Sequence, residues 1–322
     1  MCDMGKVVVT AQLPGAVDEI LQMHEIVLPT ETQFSRQELI EVLGDADGLL
    51  SLLSVPVDAA LLAAAPRLRV VANYAVGYDN IDVAACAERG IVVTHTPDVL
   101  TAATAELTWA LILGVARRVE EGIALMRQAS WQGWQPTELC GRELDGATLG
   151  IVGLGRIGQA VARRARAFGM QVVYANPRAV AGVDGARLVS LDELLKYSDV
   201  VSLHCPLNQA TRALFGVREF AQMKPTAIFI NTARGAIVDE SALADALERG
   251  HLFGAGLDVY ASEPQVDERL RVSKRALLLP HLGSATEKTR TQMARLAAES
   301  IVCVLSGGQP QNEVPAPSRN LR

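Results

Sequence analysis

The chain has 322 residues, about half of them apolar, which exceeds the ~100–200 residues typical of one domain and leads us to expect two. Its formal net charge of −6 excludes a basic coat for nucleic acid or an anionic membrane surface, so an anionic ligand must be held by local devices. Five cysteines (Cys2, Cys86, Cys140, Cys205 and Cys303) form neither a C-x-x-C pair nor a metal-ligand spacing, and no signal-like segment precedes Val7, so reduced thiols and a cytoplasmic location are expected.

In chain order, the β-branched runs Lys6–Thr10, Gly48–Leu53, Arg69–Ala72 and Ile91–Thr94 alternate with helical patterns and read as a first parallel sheet. A long helical stretch, Thr101–Arg127, follows. Its apolar part contains Glu106 and falls short of the ~20 residues of a membrane span, so a buried or subunit-interface helix is expected. A second series begins at Thr148 and continues through Gln171–Ala175, Val200–Cys205, Ala227–Thr232, Gly256–Val259 and Leu277–Leu279, implying a second doubly wound sheet. The last helical segment, about Thr286–Leu305, is expected to cross back to the first sheet. The expected domains are therefore residues 1–99 with 287–322, and residues 100–286, hinged near Pro97 and Gly283–Thr286.

Within the second series, Gly153-Leu-Gly155-Arg156-Ile-Gly158 lies between a strand and an amphipathic helix, the context that a dinucleotide-binding G-x-G-x-x-G requires. Gly153 suits the tight turn, Gly155 a close approach to a diphosphate, and Gly158 close helix packing. An acidic residue at the end of the next strand would bind the ribose 2′-hydroxyl of NAD. Asn176-Pro177-Arg178 stands there instead, with Asp184 too far down the loop, so NADP(H) is favoured and NAD(H) is the alternative. His204-Cys205-Pro206 at another strand end reads as a wall of the same pocket.

Reduction of a 2-oxo acid needs a proton donor, a cation for the carboxylate and a bound hydride source. His281 at the end of a buried apolar run suits the first role, with Glu263 able to keep the imidazole protonated near neutrality. Arg234 in Asn231–Gly235 leaves another strand end, and its planar fork suits a carboxylate. His24, His95 and His251 have no comparable set of partners.

These residues resemble the D-isomer-specific 2-hydroxyacid dehydrogenases, most closely their glyoxylate/hydroxypyruvate reductase branch. Carrying the resemblance are Ala75–Asp82, Thr104–Thr108, Trp131-x-Gly133-Trp134-x-Pro136, Gly153–Gly158, His204–Asn208, Asn231–Gly235, Gly256–Val259 and Pro280–Thr286, spread over nearly the whole chain. It implies an α/β fold of two Rossmann-like doubly wound parallel-sheet domains, formate/glycerate dehydrogenase-like, with the active site in the interdomain cleft. It also implies Arg234 as substrate anchor, His281 as general acid and Glu263 as its partner, with the Val76 and Gly77 amides and Ser284 beside the substrate.

For the cofactor, the resemblance implies Arg156 and Ile157 at the diphosphate, Asn176 and Arg178 at the adenosine ribose, and Thr108, Thr232, Asp258 and Gly283 around the nicotinamide. Cys205, Pro206, Thr211 and Ala233 complete the expected cofactor contacts. A homodimer is implied as well, with Trp134 reaching toward the partner's active site and favouring short substrates. Two other readings remain open on these residues: a phosphite-type dehydrogenase of the same family, and a dinucleotide-sensing binding protein. The short stretch after Ser306, 16 residues, disfavours the sensor.

Overall fold

The computed structural model describes residues 4–181 and 185–316; Cys2 and Asp184 lie outside the described residues. The chain divides into two compact units, one formed by residues 1–100 and 285–322 and the other by residues 101–284.

The first unit holds five parallel strands, β1 (Lys6–Val9), β2 (Glu25–Val27), β3 (Gly48–Ser51), β4 (Val70–Asn73) and β5 (Val92–Thr94), in the order β2-β1-β3-β4-β5. Strand periodicity sends alternate residues to opposite faces. Val7, Val9, Leu50, Val70 and Ala72 pack on Ala294, Ala297, Ala298 and Ile301 of the helix Glu287–Leu305, whose small residues let it lie close to the sheet. Val8, Leu49, Val71 and Val93 face the opposite layer, with Leu39, Leu43, Leu61 and Leu62.

The second unit holds β6 (Thr148–Val152), β7 (Gln171–Ala175), β8 (Ala186–Leu188), β9 (Val200–Leu203), β10 (Ile228–Asn231), β11 (Gly254–Leu257) and β12 (Ala276–Leu278). The order β12-β11-β10-β9-β6-β7-β8 is parallel throughout and is the doubly wound dinucleotide-binding order with one strand added. Phe215, Phe220 and Phe229 build the core on one face, while Leu111 and Ile112 pack with Leu149, Ile151 and Ile230 on the other.

Two features differ from the sequence expectation. The edge strands β2 and β8 are additional to it; each has three residues and is half-exposed or exposed, so neither shows the apolar run of a buried strand. The stretch Thr101–Arg127 is not one helix. It ends at Ala116, passes through Arg118 in the left-handed region (φ 51°), and resumes as Val119–Arg127. The Ala116 carbonyl, which a continuing helix would give to residue 120, instead accepts from Arg142 N at 2.7 Å. A bidentate pair from Arg118 to Glu121, at 2.7 and 2.6 Å, holds the break.

Candidate active site

The chain reverses its winding direction between β6 and β9, and open α/β sheets bind ligands beyond the strand ends at such a point. The glycine turn stands there. Gly153 is left-handed at φ 93°, and its amide donates to the Ala175 carbonyl at 3.0 Å, fastening the turn to the end of β7. A side chain at Gly153 would come within 2.6 Å of Cys205 N, and one at Gly158 would run into the Gly153 carbonyl. A Cβ at Gly155 would meet nothing within 4 Å. The two outer glycines are therefore demanded by the protein's own backbone, while the middle one borders open space at the N-terminus of the ten-residue helix Arg156–Ala165. The first-turn amides and the helix dipole at that point suit a diphosphate, so these residues fit a bound dinucleotide.

Around the turn, Arg156 is exposed and Ile157 half-buried. Asn176 follows β7 directly; its amide donates to the Arg178 carbonyl at 2.9 Å, and the Arg178 side chain is exposed. No carboxylate occupies 176–178. Thr211 Oγ1 donates to the Pro206 carbonyl at 2.7 Å and shapes the loop after β9. Burial pushes the Cys205 thiol up to about 11 and the His204 imidazole down to about 3, so both are uncharged walls at neutral pH. His204 Nε2 is paired with Ser202 Oγ at 2.8 Å.

The second group of residues is assembled from the ends of β10, β11 and β12. Asn231 folds the chain after β10, accepting from Ala233 N at 3.0 Å and donating to the Arg234 carbonyl at 2.9 Å. After β11 comes Asp258, only 1% exposed, whose carboxylate accepts from Leu282 N at 2.6 Å and Gly283 N at 2.8 Å. Its carbonyl accepts from His281 N at 2.9 Å. These bonds hold His281 in the left-handed region at φ 56°, uncommon for a residue with a side chain. Burial pushes the Asp258 carboxyl up to about 6, against the lowering by the two amides and His281.

His281 Nδ1 lies 2.8 Å from Glu263 Oε2, and Glu263 Oε1 accepts from Tyr260 N at 3.0 Å. Burial works against the Glu263 charge, but the His281 hydrogen bond and charge, the Tyr260 amide and the Arg234 guanidinium together hold its carboxyl below the usual range. Beside this group, Thr108 Oγ1 meets Thr232 Oγ1 at 3.0 Å and donates to the Thr104 carbonyl at 2.8 Å. Thr104 in turn donates to the Gly283 carbonyl at 3.1 Å. Ser284 follows half-buried, whereas Trp134 is 79% exposed.

In the first unit, the Val76 carbonyl lies 2.8 Å from His95 Nδ1 and the Gly77 carbonyl accepts from Asn73 Nδ2 at 2.7 Å. Both bonds fix the orientation of the turn after β4. His95, set aside on sequence, thus has a partner in that turn; nothing in its sequence neighbourhood signals the contact, because 19 residues separate the two.

A strand-turn-helix built for a diphosphate and a carboxylate-paired histidine on the same sheet define a nicotinamide-dependent oxidoreductase. The profile of the D-isomer specific 2-hydroxyacid dehydrogenase NAD binding domain matches residues 109–283. Glyoxylate reductase of Thermococcus litoralis is 46% identical over 319 residues, covering 96% of both chains. Among solved structures, the TT0316 protein of Thermus thermophilus is 47% identical with a TM-score of 0.92, covering 96% of this chain and all of that one. The NADPH-dependent glyoxylate/hydroxypyruvate reductase of Sinorhizobium meliloti, solved with NADP and malonate, is 33% identical with a TM-score of 0.88 over 98% of each chain. The chain belongs to the D-isomer-specific 2-hydroxyacid dehydrogenases.

Proposed function

We propose that the protein reduces a short 2-oxo acid, glyoxylate or hydroxypyruvate foremost, to glycolate or D-glycerate, with NADPH favoured as reductant over NADH. The carrying observation is the 2.8 Å contact between His281 Nδ1 and Glu263 Oε2. An ionised carboxylate only accepts, so Nδ1 bears a proton and Nε2 is the nitrogen left to face a substrate. The negative Glu263 favours the imidazolium, the form that can give up a proton.

In this reading His281 Nε2–H gives its proton to the substrate carbonyl oxygen as the carbonyl carbon gains a hydride, and the imidazole regains a proton from solvent. Arg234 binds the carboxylate and polarises the carbonyl, stabilising the charge that develops on oxygen. Ser284 is assigned to the substrate, and in the first unit the Val76 and Gly77 amides to carboxylate binding. Reduced nicotinamide supplies the hydride when bound. Gly153, Gly155, Arg156, Ile157 and Gly158 would hold the diphosphate, Asn176 and Arg178 the ribose end, and Cys205, Pro206 and Thr211 one wall. Thr108, Thr232, Ala233, Asp258 and Gly283 would surround the nicotinamide.

The preference for NADPH rests on the missing carboxylate after β7 and on Arg178, a cation for a 2′-phosphate. The names of the archaeal and Sinorhizobium relatives support the substrate and, for the latter, the cofactor. Initial rates of glyoxylate and hydroxypyruvate reduction with NADPH and with NADH test both parts. Turnover with neither substrate sinks the reductase reading; faster turnover with NADH overturns only the cofactor assignment.

We also propose a homodimer. Val119, Ile123 and Met126 recur at helical spacing on Val119–Arg127, a helix with no buried residue, and stand 42%, 39% and 64% exposed. Leu113 and Trp131 are exposed too. A second copy would cover such a surface, with Trp134 as the residue that limits substrate size in the partner. Light scattering reads the mass directly, and a monomer at micromolar concentration removes this assignment. Among the described residues no helix is long and apolar enough to cross a membrane. We place the enzyme in the cytoplasm, where Cys86, Cys140, Cys205 and Cys303 would remain free thiols.

A further inference from the structure

The loop that carries Glu263 is tied to its neighbours through two successive amides and one hydroxyl. Tyr260 N donates to Glu263 Oε1 at 3.0 Å, leaving Oε2 for His281 Nδ1 at 2.8 Å. The Tyr260 side chain is buried, and its hydroxyl donates to the Leu279 carbonyl at 2.9 Å, two residues before His281. The next amide, Ala261 N, donates to Glu240 Oε1 at 2.6 Å, at the start of the helix Glu240–Glu248. Gly235, directly after Arg234, closes the set: a Cβ there would overlap the carbonyl carbon of Tyr260 and the nitrogen of Ala261. The bare Cα of Gly235 is thus the seat on which this peptide lies. Loops from the ends of β10, β11 and β12 meet at a single point.

We propose that Tyr260 is the positioning residue of the reaction centre, joining the Arg234 turn, the Glu263 carboxylate and the His281 strand end, with Glu240 anchoring the next amide along the chain. The inference rests on the assignment of His281 and Glu263 to proton transfer and adds the element that sets their distance. Two of the three bonds of Tyr260–Ala261 go to carboxylates, and the third is made by a hydroxyl whose burial keeps it protonated. Each therefore has a donor that does not change with pH near neutrality. Glu240 itself is pushed up by burial against the lowering by the Ala261 amide, and Asp267 and Glu263 push it further up. The charged groups around His281 are Glu263 and Asp258, with Arg234 and Glu240 facing Glu263.

The test compares Tyr260→Phe, which keeps the ring and the backbone amide, and Glu240→Ala with the parent enzyme and with His281→Ala. For Tyr260→Phe we expect kcat for glyoxylate reduction to fall ~5–10-fold with little change in KM for the cofactor, the loss of about one net hydrogen bond. Reduction takes its proton from His281, so the rate falls toward high pH. A Glu263 held less firmly stabilises a protonated His281 less, and the basic limb of the kcat/KM profile should move to lower pH in both variants. A purely structural role would lower the unfolding temperature without moving this limb. Parent-like kcat and an unmoved limb in both variants, with His281→Ala inactive, overturn the positioning role alone. An active His281→Ala overturns the acid assignment and the positioning role with it.

Discussion

The glycine turn and the Arg234–Glu263–His281 group stand beyond strand ends of one seven-stranded sheet, but they are specified over very different lengths of chain. The turn occupies 153–158, and its geometry follows from the backbone itself: left-handed Gly153, close-packed Gly158, open space above Gly155. The Arg234–Glu263–His281 group draws on three loops, and its distances depend on the parallel register that sets Asn231 beside Leu257 and Leu257 beside Leu278. A site of the first kind survives whatever preserves the local turn. A site of the second kind depends on every contact that holds loop to loop, which is why Asp258 and Tyr260 carry so many of its hydrogen bonds.

The largest effect expected from this contrast is at His281. His281→Ala should lower glyoxylate reduction by ~10²–10⁴-fold, as loss of a general acid does, while the dissociation constant for NADPH, read by fluorescence quenching, changes little. Full activity would remove the residue from the mechanism. Within the turn, two glycines should fail in different ways. Gly155→Val should fold like the parent yet weaken NADPH binding ~10-fold or more, because its side chain enters open space that the diphosphate needs. Gly158→Val should lower the unfolding temperature, because its side chain meets the Gly153 carbonyl. Equal losses of stability in the two variants would break the distinction.

Asp258 sharpens the comparison through pH. Its folded pKa of about 6 lies above the ordinary aspartate value, so the folded state binds the extra proton between about pH 4 and pH 6. The contribution to stability is full below the unfolded pKa and is lost as pH rises through 6. Denaturant unfolding of the unliganded protein should therefore show a decline on the order of 3 kcal/mol over that window, flattened in Asp258→Asn. An identical slope in the variant would show that the carboxyl is ordinarily solvated. The smallest effect concerns the ribose end. Asn176→Asp should shift the ratio of kcat/KM for NADPH to that for NADH by ~10-fold toward NADH, since the new carboxylate can bind a 2′-hydroxyl and repels a 2′-phosphate. An unaltered ratio would leave Asn176 without a part in selecting the cofactor.

Most of the sheet framework was legible because buried parallel strands read as short β-branched runs, as at Val7–Val9 and Val172–Tyr174. The edge strands β2 and β8 were not legible, since half-exposed residues such as Ile26 and exposed ones such as Arg187 carry no such pattern. Nor was the break at Arg118, where the decisive partner of the Ala116 carbonyl, Arg142 N, comes from 26 residues further along the chain. His281 and Glu263 could be picked out as candidates by residue type and strand-end position. Tyr260 and Glu240 could not, because a backbone amide bonded to a carboxylate leaves no mark on composition.

By itself, then, the amino-acid sequence determined the two βα series, the glycine turn and the candidate residue types for proton transfer, because each depends on neighbours within a few positions. Tertiary structure alone decided which nitrogen of His281 faces Glu263, how Asp258 ties β11 to the segment after β12, and where the Tyr260–Ala261 peptide rests. The first two of those contacts join residues 18 and 25 positions apart, the peptide rests on a glycine from yet another loop, and only the packing of parallel strands side by side brings them within reach.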